Sequence, residues 1–234
     1  MKIFMASAAL GPIDVIKPLP EKPASMFAQL YTDQHIVDPR ISASWSKVIN
    51  PDWPRKDWTP RLRSRYFKYQ IYRDAEKADW LVWVDASILL FELDFIEEWI
   101  EKLSKMPEEK RVLLVPHNQR ETIMQEADFI CDQIAARNPY LMKRYTEEGT
   151  RAQVRYLKQN NFDLNSKLYC TGFWIMENTP RARAFIYTVW DQIMKFDTGD
   201  QIAYGAILNK WGYKPTLLDV SITHNQHFTF VAHS

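Results

Sequence analysis

Apolar residues in this 234-residue chain gather in short runs, separated by charged and proline-bearing stretches. Lys2–Ala8 predicts a first buried strand that runs into a Gly-Pro turn, and residues 11–60 are polar and proline-rich with one further strand candidate at Met26–Tyr31. Thr59-Pro60 has the form of an N-cap followed by proline at the first helical position, which predicts a helix from Pro60 to Lys77. Helical spacing puts Phe67, Ile71, Ala75 and Ala78 on one face of it, and Arg61, Arg65, Lys68 and Tyr72 on another. The run LVWVDASILLF is too apolar for an edge strand and predicts a central strand with Asp85 near its carboxyl end.

Asp94 and Glu97 have capping-box spacing and predict a helix through Leu103. Arg111–Val115 is a further strand candidate, with His117–Glu121 just past its end. Helical pattern fills Glu121–Gln159, with breaks expected near Asn138-Pro139 and Gly149. Leu168–Met176 is strand-like and aromatic. Thr179-Pro180 repeats the cap signature and opens a helix to Lys195; a second helix, Asp200–Trp211, stops at Gly212, and Thr216–Val220 supplies a last strand. Strands alternating with helices predict a single α/β domain over residues 1–234, a mixed central sheet flanked by helices. Ligands of such sheets bind beyond the carboxyl ends of the strands.

Composition narrows the function classes. The chain holds 30 Lys+Arg against 29 Asp+Glu, which argues against a protein built mainly to grip nucleic acid. Two cysteines make no disulfide framework or zinc pattern, so a reducing, cytoplasmic setting is expected. The N-terminus is too short and interrupted for a signal peptide, and no apolar run is long enough to span a membrane.

Asp85 is the most informative position. A carboxylate in an apolar strand is costly to bury unless it is hydrogen-bonded, paired or bound to a cation. At a strand end it suits Mg²⁺ or Mn²⁺, hard ions that bridge to phosphates; an Asp that merely caps the following turn is the competing explanation. Arg65 and Lys68 share a helix face and have the chemistry to neutralise a diphosphate, whereas Arg61 reads as part of a solvated stripe.

The segment RSRYFKYQIYRDAEKADWLVWVDASI resembles a GT-A-like family of plant and microbial glycosyltransferase-like proteins, once catalogued as a domain of unknown function, whose members include mucilage-related and turgor-linked plant proteins. Arg63, Arg65, Tyr66, Phe67 and Lys68 match the family's Arg-x-x-Tyr-Phe-Lys helix. Trp83, Asp85, Ser87 and Ile88 match its Trp-hydrophobic-Asp-Gly-Ser-Ile strand end, with Ala86 where glycine is usual. Further patches are Tyr31-Thr32-Asp33, Val115-Pro116-His117 with Arg120 and Glu121, and Gly199-Asp200-Gln201; residues 34–60 and 138–165 are unmatched.

The resemblance implies a GT-A-like fold, a nucleotide-diphosphate sugar as donor, and transfer to the hydroxyl of a glycan or other acceptor. Under it, Asp85 and Ser87 bind the diphosphate with Arg65 and Lys68; Asp33 has the oxygens to accept from a uracil or ribose, and an ordinary Thr-Asp turn pair is its equal alternative. Thr171 and Gly172 follow a strand candidate, where glycine lets a sugar or phosphate approach the backbone closely, and a plain strand bulge is the equal alternative. Asp200 contacts the sugar or deprotonates the acceptor, with an N-cap or first-turn acid of the following helix as its plainer role, and His117 is a second catalytic candidate. The tail SITHNQHFTFVAHS holds three of the five histidines; His224 or His227 is the candidate to complete a metal shell with Asp85, His224 being favoured, and a disordered or tag-like end is the competing view for His233. Because Ser87 stands in place of a second carboxylate, the Mn²⁺ or Mg²⁺ is expected to be weakly held or dispensable. Two rivals stay open: a nucleotidyltransferase, which wants more glycine near the first strand than MASAALGP offers, and a non-catalytic glycan- or nucleotide-binding module that uses the aromatics for stacking.

Overall fold

The apolar runs form strands wherever both faces of the residue alternation meet core. The computed structural model describes residues 1–12, 15–52, 55 and 57–231, so His233 lies outside the described residues. Its strands are β1 (Ile3–Ala9), β2 (Met26–Thr32), β3 (Lys47–Ile49), β4 (Trp80–Val84), β5 (Ile88–Leu90), β6 (Val112–Pro116), β7 (Tyr169–Glu177), β8 (Thr216–Leu217) and β9 (Phe228–Phe230). Its helices are α1 (Pro39–Ser44), α2 (Pro60–Gln70), α3 (Asp94–Ser104), α4 (Ile123–Ala135), α5 (Pro139–Met142), α6 (Glu147–Gln159), α7 (Pro180–Phe196) and α8 (Asp200–Lys210).

Seven strands make one mixed sheet in the order β3-β2-β1-β4-β7-β6-β8. β1 runs parallel to β2 and β4, and β7 runs antiparallel to both β4 and β6. Period-two alternation feeds two cores. Phe4, Trp83 and Trp174 pack with Phe67, Phe185 and Tyr204 from the helices on one face. Met5, Val82 and Phe173 pack with Ile96, Ile100 and Phe228 on the other. A third cluster, around Ile123, Leu157 and Ile202, joins α4, α6 and α8. The expected mixed α/β sheet flanked by helices is therefore present. No helix among the described residues is long and apolar enough to cross a membrane.

Several boundaries move. The run LVWVDASILLF is two strands in two sheets: the Ile88 N–H donates to the Asp85 carbonyl at 2.9 Å, closing a turn, and β5 then pairs with β9. The Asp94/Glu97 capping box does not form. Leu93 is the cap residue, and Glu97 instead accepts from the Ser25 hydroxyl. α2 ends at Gln70 and passes into a single 3₁₀ turn, Ile71–Arg73. Beyond that turn, Asp74 accepts hydrogen bonds from Tyr31 and Gln29 of β2, tying this end of the helix to the sheet. Gly149 falls inside the first turn of α6 rather than at a break. The Thr59 and Thr179 caps form as expected, accepting from the backbone N–H of Leu62 and Ala182.

Candidate active site

The carboxyl ends of β1, β2 and β4 lie on one edge of the sheet, and the antiparallel β7 brings its first residues to the same edge. Asp85 follows β4 directly, and its N–H donates to the Gly172 carbonyl at 2.7 Å. Its Oδ1 accepts from Trp83 Nε1 at 2.5 Å and Lys68 Nζ at 3.3 Å. Among the described residues no donor reaches Oδ2, and the side chain is 39% exposed. Gly172 keeps that oxygen uncrowded: a Cβ there would lie 3.3 Å from Asp85 Oδ2 and 3.3 Å from Ile88 Cδ1.

The basic face of α2 turns inward. Lys68 is only 3% exposed, and its ammonium lies 2.9 Å from Asp200 Oδ2. Arg65 reaches Asp200 Oδ1 at 2.9 Å. Tyr69 and Thr171 donate their hydroxyls to Oδ2 at 2.9 and 3.0 Å. Four donors thus converge on one carboxylate, which has room for about four. Burial works against the charge on Asp200, but Arg65 and Lys68 outweigh it and hold the carboxyl well below the usual carboxylate range. Burial also opposes the charge on Arg65, and the neighbouring Asp200 more than restores it.

Of the two plainer roles expected of Asp200, it is a first-turn acid of α8 but not its N-cap. Gly199 occupies the cap position of α8 without a side-chain bond, so the Asp200 side chain is committed to α2 and β7 instead. Arg61 is corrected as well: it is largely buried, paired with Asp197 and set over the Tyr145 ring at 5.0 Å.

Arg65, Lys68, Asp85, Thr171, Gly172 and Asp200 therefore come together. Ser87 is buried in the adjoining turn, its carbonyl accepting from the Val231 N–H at 2.7 Å. Asp33 sits at the end of β2 and accepts from the Gly11 N–H at 2.8 Å, where Gly11 has a φ of 72° that favours glycine. That bond fastens the loop after β1 to the same sheet edge.

His117 is built into a different loop. Its Nδ1 accepts from the backbone N–H groups of Gln119 and Arg120 at 3.2 and 3.0 Å. Burial and then Arg120 lower its pKa to about 4, so the ring is neutral near pH 7. Arg120 in turn pairs with the buried Glu126. His224 forms a bridge with Thr229 and meets the Phe91 ring edge-on at 6.1 Å; no described bond joins it to Asp85.

Tyr69 is a member of the cluster that sequence reasoning missed. It follows Lys68 with no local pattern to mark it, and only the long-range approach of Asp200 gives it a role. Among the described residues no group of three or more His, Cys, Asp or Glu is arranged to hold a metal. Within the cluster of Asp85 and Asp200, Asp85 is the carboxylate with an oxygen that accepts no described hydrogen bond. One open carboxylate oxygen is fewer ligands than an all-protein cation site supplies.

No family model matches this chain, and no curated protein matches it in sequence. Among solved structures, the apo form of mouse xyloside xylosyltransferase 1 is similar over 94% of this chain and 86% of that one, with 11% identity and a TM-score of 0.47.

Proposed function

We propose that this chain is a GT-A-type glycosyltransferase, which moves a sugar from a nucleotide-diphosphate sugar to an acceptor hydroxyl at the carboxyl edge of the sheet. The observation that carries this reading is the position of Lys68, whose ammonium bridges the buried Asp200 and the half-open Asp85. A buried ion pair adds little net stability over apolar packing, so a network this large at a sheet edge favours a binding role. The sequence resemblance around Asp85 supplies the substrate class.

The charges of Arg65, Lys68, Asp85 and Asp200 cancel, so the cluster offers a diphosphate no net attraction of its own. Asp85 would hold Mn²⁺ or Mg²⁺ through its open oxygen, and such an ion, when bound, offsets the charge of the diphosphate. Lys68 has three donors and spends two on carboxylates, leaving one for a phosphate oxygen of the departing group. Gly172 leaves the backbone bare beside Asp85. Asp200, saturated by donors, holds Lys68 and Arg65 in place; that environment argues against its taking the proton of the acceptor.

Calorimetric titration of UDP and GDP in Mn²⁺ tests the reading. The parent protein is expected to bind at least one of them, and folded Asp85→Asn to bind it on the order of tenfold more weakly or worse. Equal affinity in the two proteins would assign Asp85 to the turn alone.

A further inference from the structure

His117 and Arg120 bring two N–H donors side by side at the sheet edge, and we propose that this pair binds a carbonyl oxygen, that of an acetamido group on a substrate sugar. The sugar rests on the transferase reading above; the two donors do not. Backbone contacts decide which nitrogen of His117 carries hydrogen. Nδ1 faces the N–H groups of Gln119 and Arg120 at 3.2 and 3.0 Å, and turning the ring over would set a carbon against both. Nδ1 therefore accepts, and the hydrogen of the neutral ring sits on Nε2. Nε2 lies 3.3 Å from Arg120 Nη2, which can only donate. The opposite tautomer would relieve that contact but set Nδ1–H against two N–H groups. In the better tautomer two donors face each other, and one oxygen beside them accepts from both.

Arg120 is held firmly for this. Its guanidinium lies over the Phe129 ring at 3.9 Å, its Nε donates to the buried Glu126, and Nη1 reaches Gln119 Oε1 at 3.3 Å, which leaves Nη2 facing His117. Glu126 already balances the charge of Arg120, so a neutral oxygen matches the pair better than a second carboxylate. A hydroxyl brings a hydrogen that needs an acceptor of its own, whereas a carbonyl oxygen has two lone pairs and no hydrogen to place. Strand order sets the pair near Asp85. His117 follows β6 and Asp85 follows β4, and the antiparallel β7 between them puts both ends on one edge, separated by about 10 Å across the sheet. Adjacent residues of β7 touch the two places: the Cys170 thiol donates to the Pro116 carbonyl at 3.6 Å, and the Thr171 hydroxyl to Asp200.

Nitrogen NMR of the imidazole rings tests the proposal on the full chain, with His117 assigned by its loss in His117→Asn. The probes are methyl N-acetyl-β-D-glucosaminide, methyl β-D-glucopyranoside and sodium acetate. The parent is expected to show the Nε2–H tautomer near pH 7 and a saturable shift with the acetamido glycoside, at an affinity on the order of tenfold above that for the plain glucoside. His117→Asn keeps an acceptor for the two backbone N–H groups but falls short of the Nε2 position. Arg120→Lys keeps a cation for Glu126 but loses Nη2. Saturation-transfer NMR should show the preference for the acetamido glycoside erased in both. An Nδ1–H tautomer, a shift with acetate but not with the acetamido glycoside, or no saturable shift with any probe, which would make water the sole occupant, would overturn the proposal. So would a preference that survives in His117→Asn. Titration of the parent with UDP and GDP in Mn²⁺ reports separately on the transferase reading, so the two can fail independently.

Discussion

Lys68 and Asp200 lie 132 residues apart in sequence, yet their charged groups meet at 2.9 Å with side chains 3% and 5% exposed. This contact fastens α2 to the first turn of α8 beneath the sheet edge. Its energetics differ from those of a helix cap, where Asn serves about as well as Asp. Asp200→Asn keeps an acceptor but removes the charge facing two cations. Breaking a buried pair from one side costs on the order of 3–5 kcal/mol, which for a chain of this size lowers Tm by roughly 10 °C. Thermal unfolding checks it; a melting temperature within a degree or two of the parent would restore the cap.

How much of this was legible beforehand follows from range. The buried strands announce themselves as local apolar runs, and Thr59-Pro60 and Thr179-Pro180 cap their helices through bonds three residues long. Asp85 at a strand end could be read the same way. The partners of Asp200 could not: nothing near Gly199-Asp200 signals Arg65, Lys68, Tyr69 and Thr171. Lys68 reads as a diphosphate ligand beside Arg65, but its pairing with Asp200 is hidden, because spacing shows which residues share a face, not what that face meets. The ribbon strand Phe228–Phe230 and the edge strand Lys47–Ile49, three residues each, are too short for their alternation to be distinguished.

His117 gives a pH signature. Its folded pKa of about 4 lies below the ordinary 6.5, so between those values the unfolded ring takes up a proton that the folded ring refuses. Its contribution is thus constant above that window and declines as pH falls from 6.5 toward 4. In His117→Asn, the amide oxygen can accept the same two backbone N–H groups without titrating. Urea unfolding between pH 4 and 8 should show the parent losing more stability on acidification than the variant. Identical pH slopes would contradict the placement of His117.

Gly172→Ala probes the space around Asp85. The backbone there tolerates a side chain, but the added methyl would press on Asp85 Oδ2 and Ile88. The expected outcome is a small fall in Tm together with a loss of nucleoside-diphosphate affinity on the order of tenfold. Calorimetry and melting on one preparation decide it. A variant that loses stability but binds as the parent does would show that the diphosphate lies away from Asp85.

Manganese should bind with the nucleotide rather than before it, since Asp85 offers one open oxygen and no three-ligand group surrounds it among the described residues. Electron paramagnetic resonance of free Mn²⁺ should register little uptake by the protein alone and clear uptake once UDP or GDP is added beyond what the nucleotide itself sequesters. Tight uptake by the nucleotide-free protein would point to ligands other than Asp85.

The most direct measurement is release of UDP or GDP from a panel of sugar nucleotides, followed with a saccharide acceptor in the parent and in Asp85→Asn. The account predicts acceptor-stimulated release from at least one donor, accompanied by a glycosylated product of matching mass. Asp85→Asn, folded and melting near the parent, should reduce that rate on the order of a hundredfold or more. A parent that binds these donors but releases no nucleotide, or an Asp85→Asn variant that turns over at the parental rate, would contradict it.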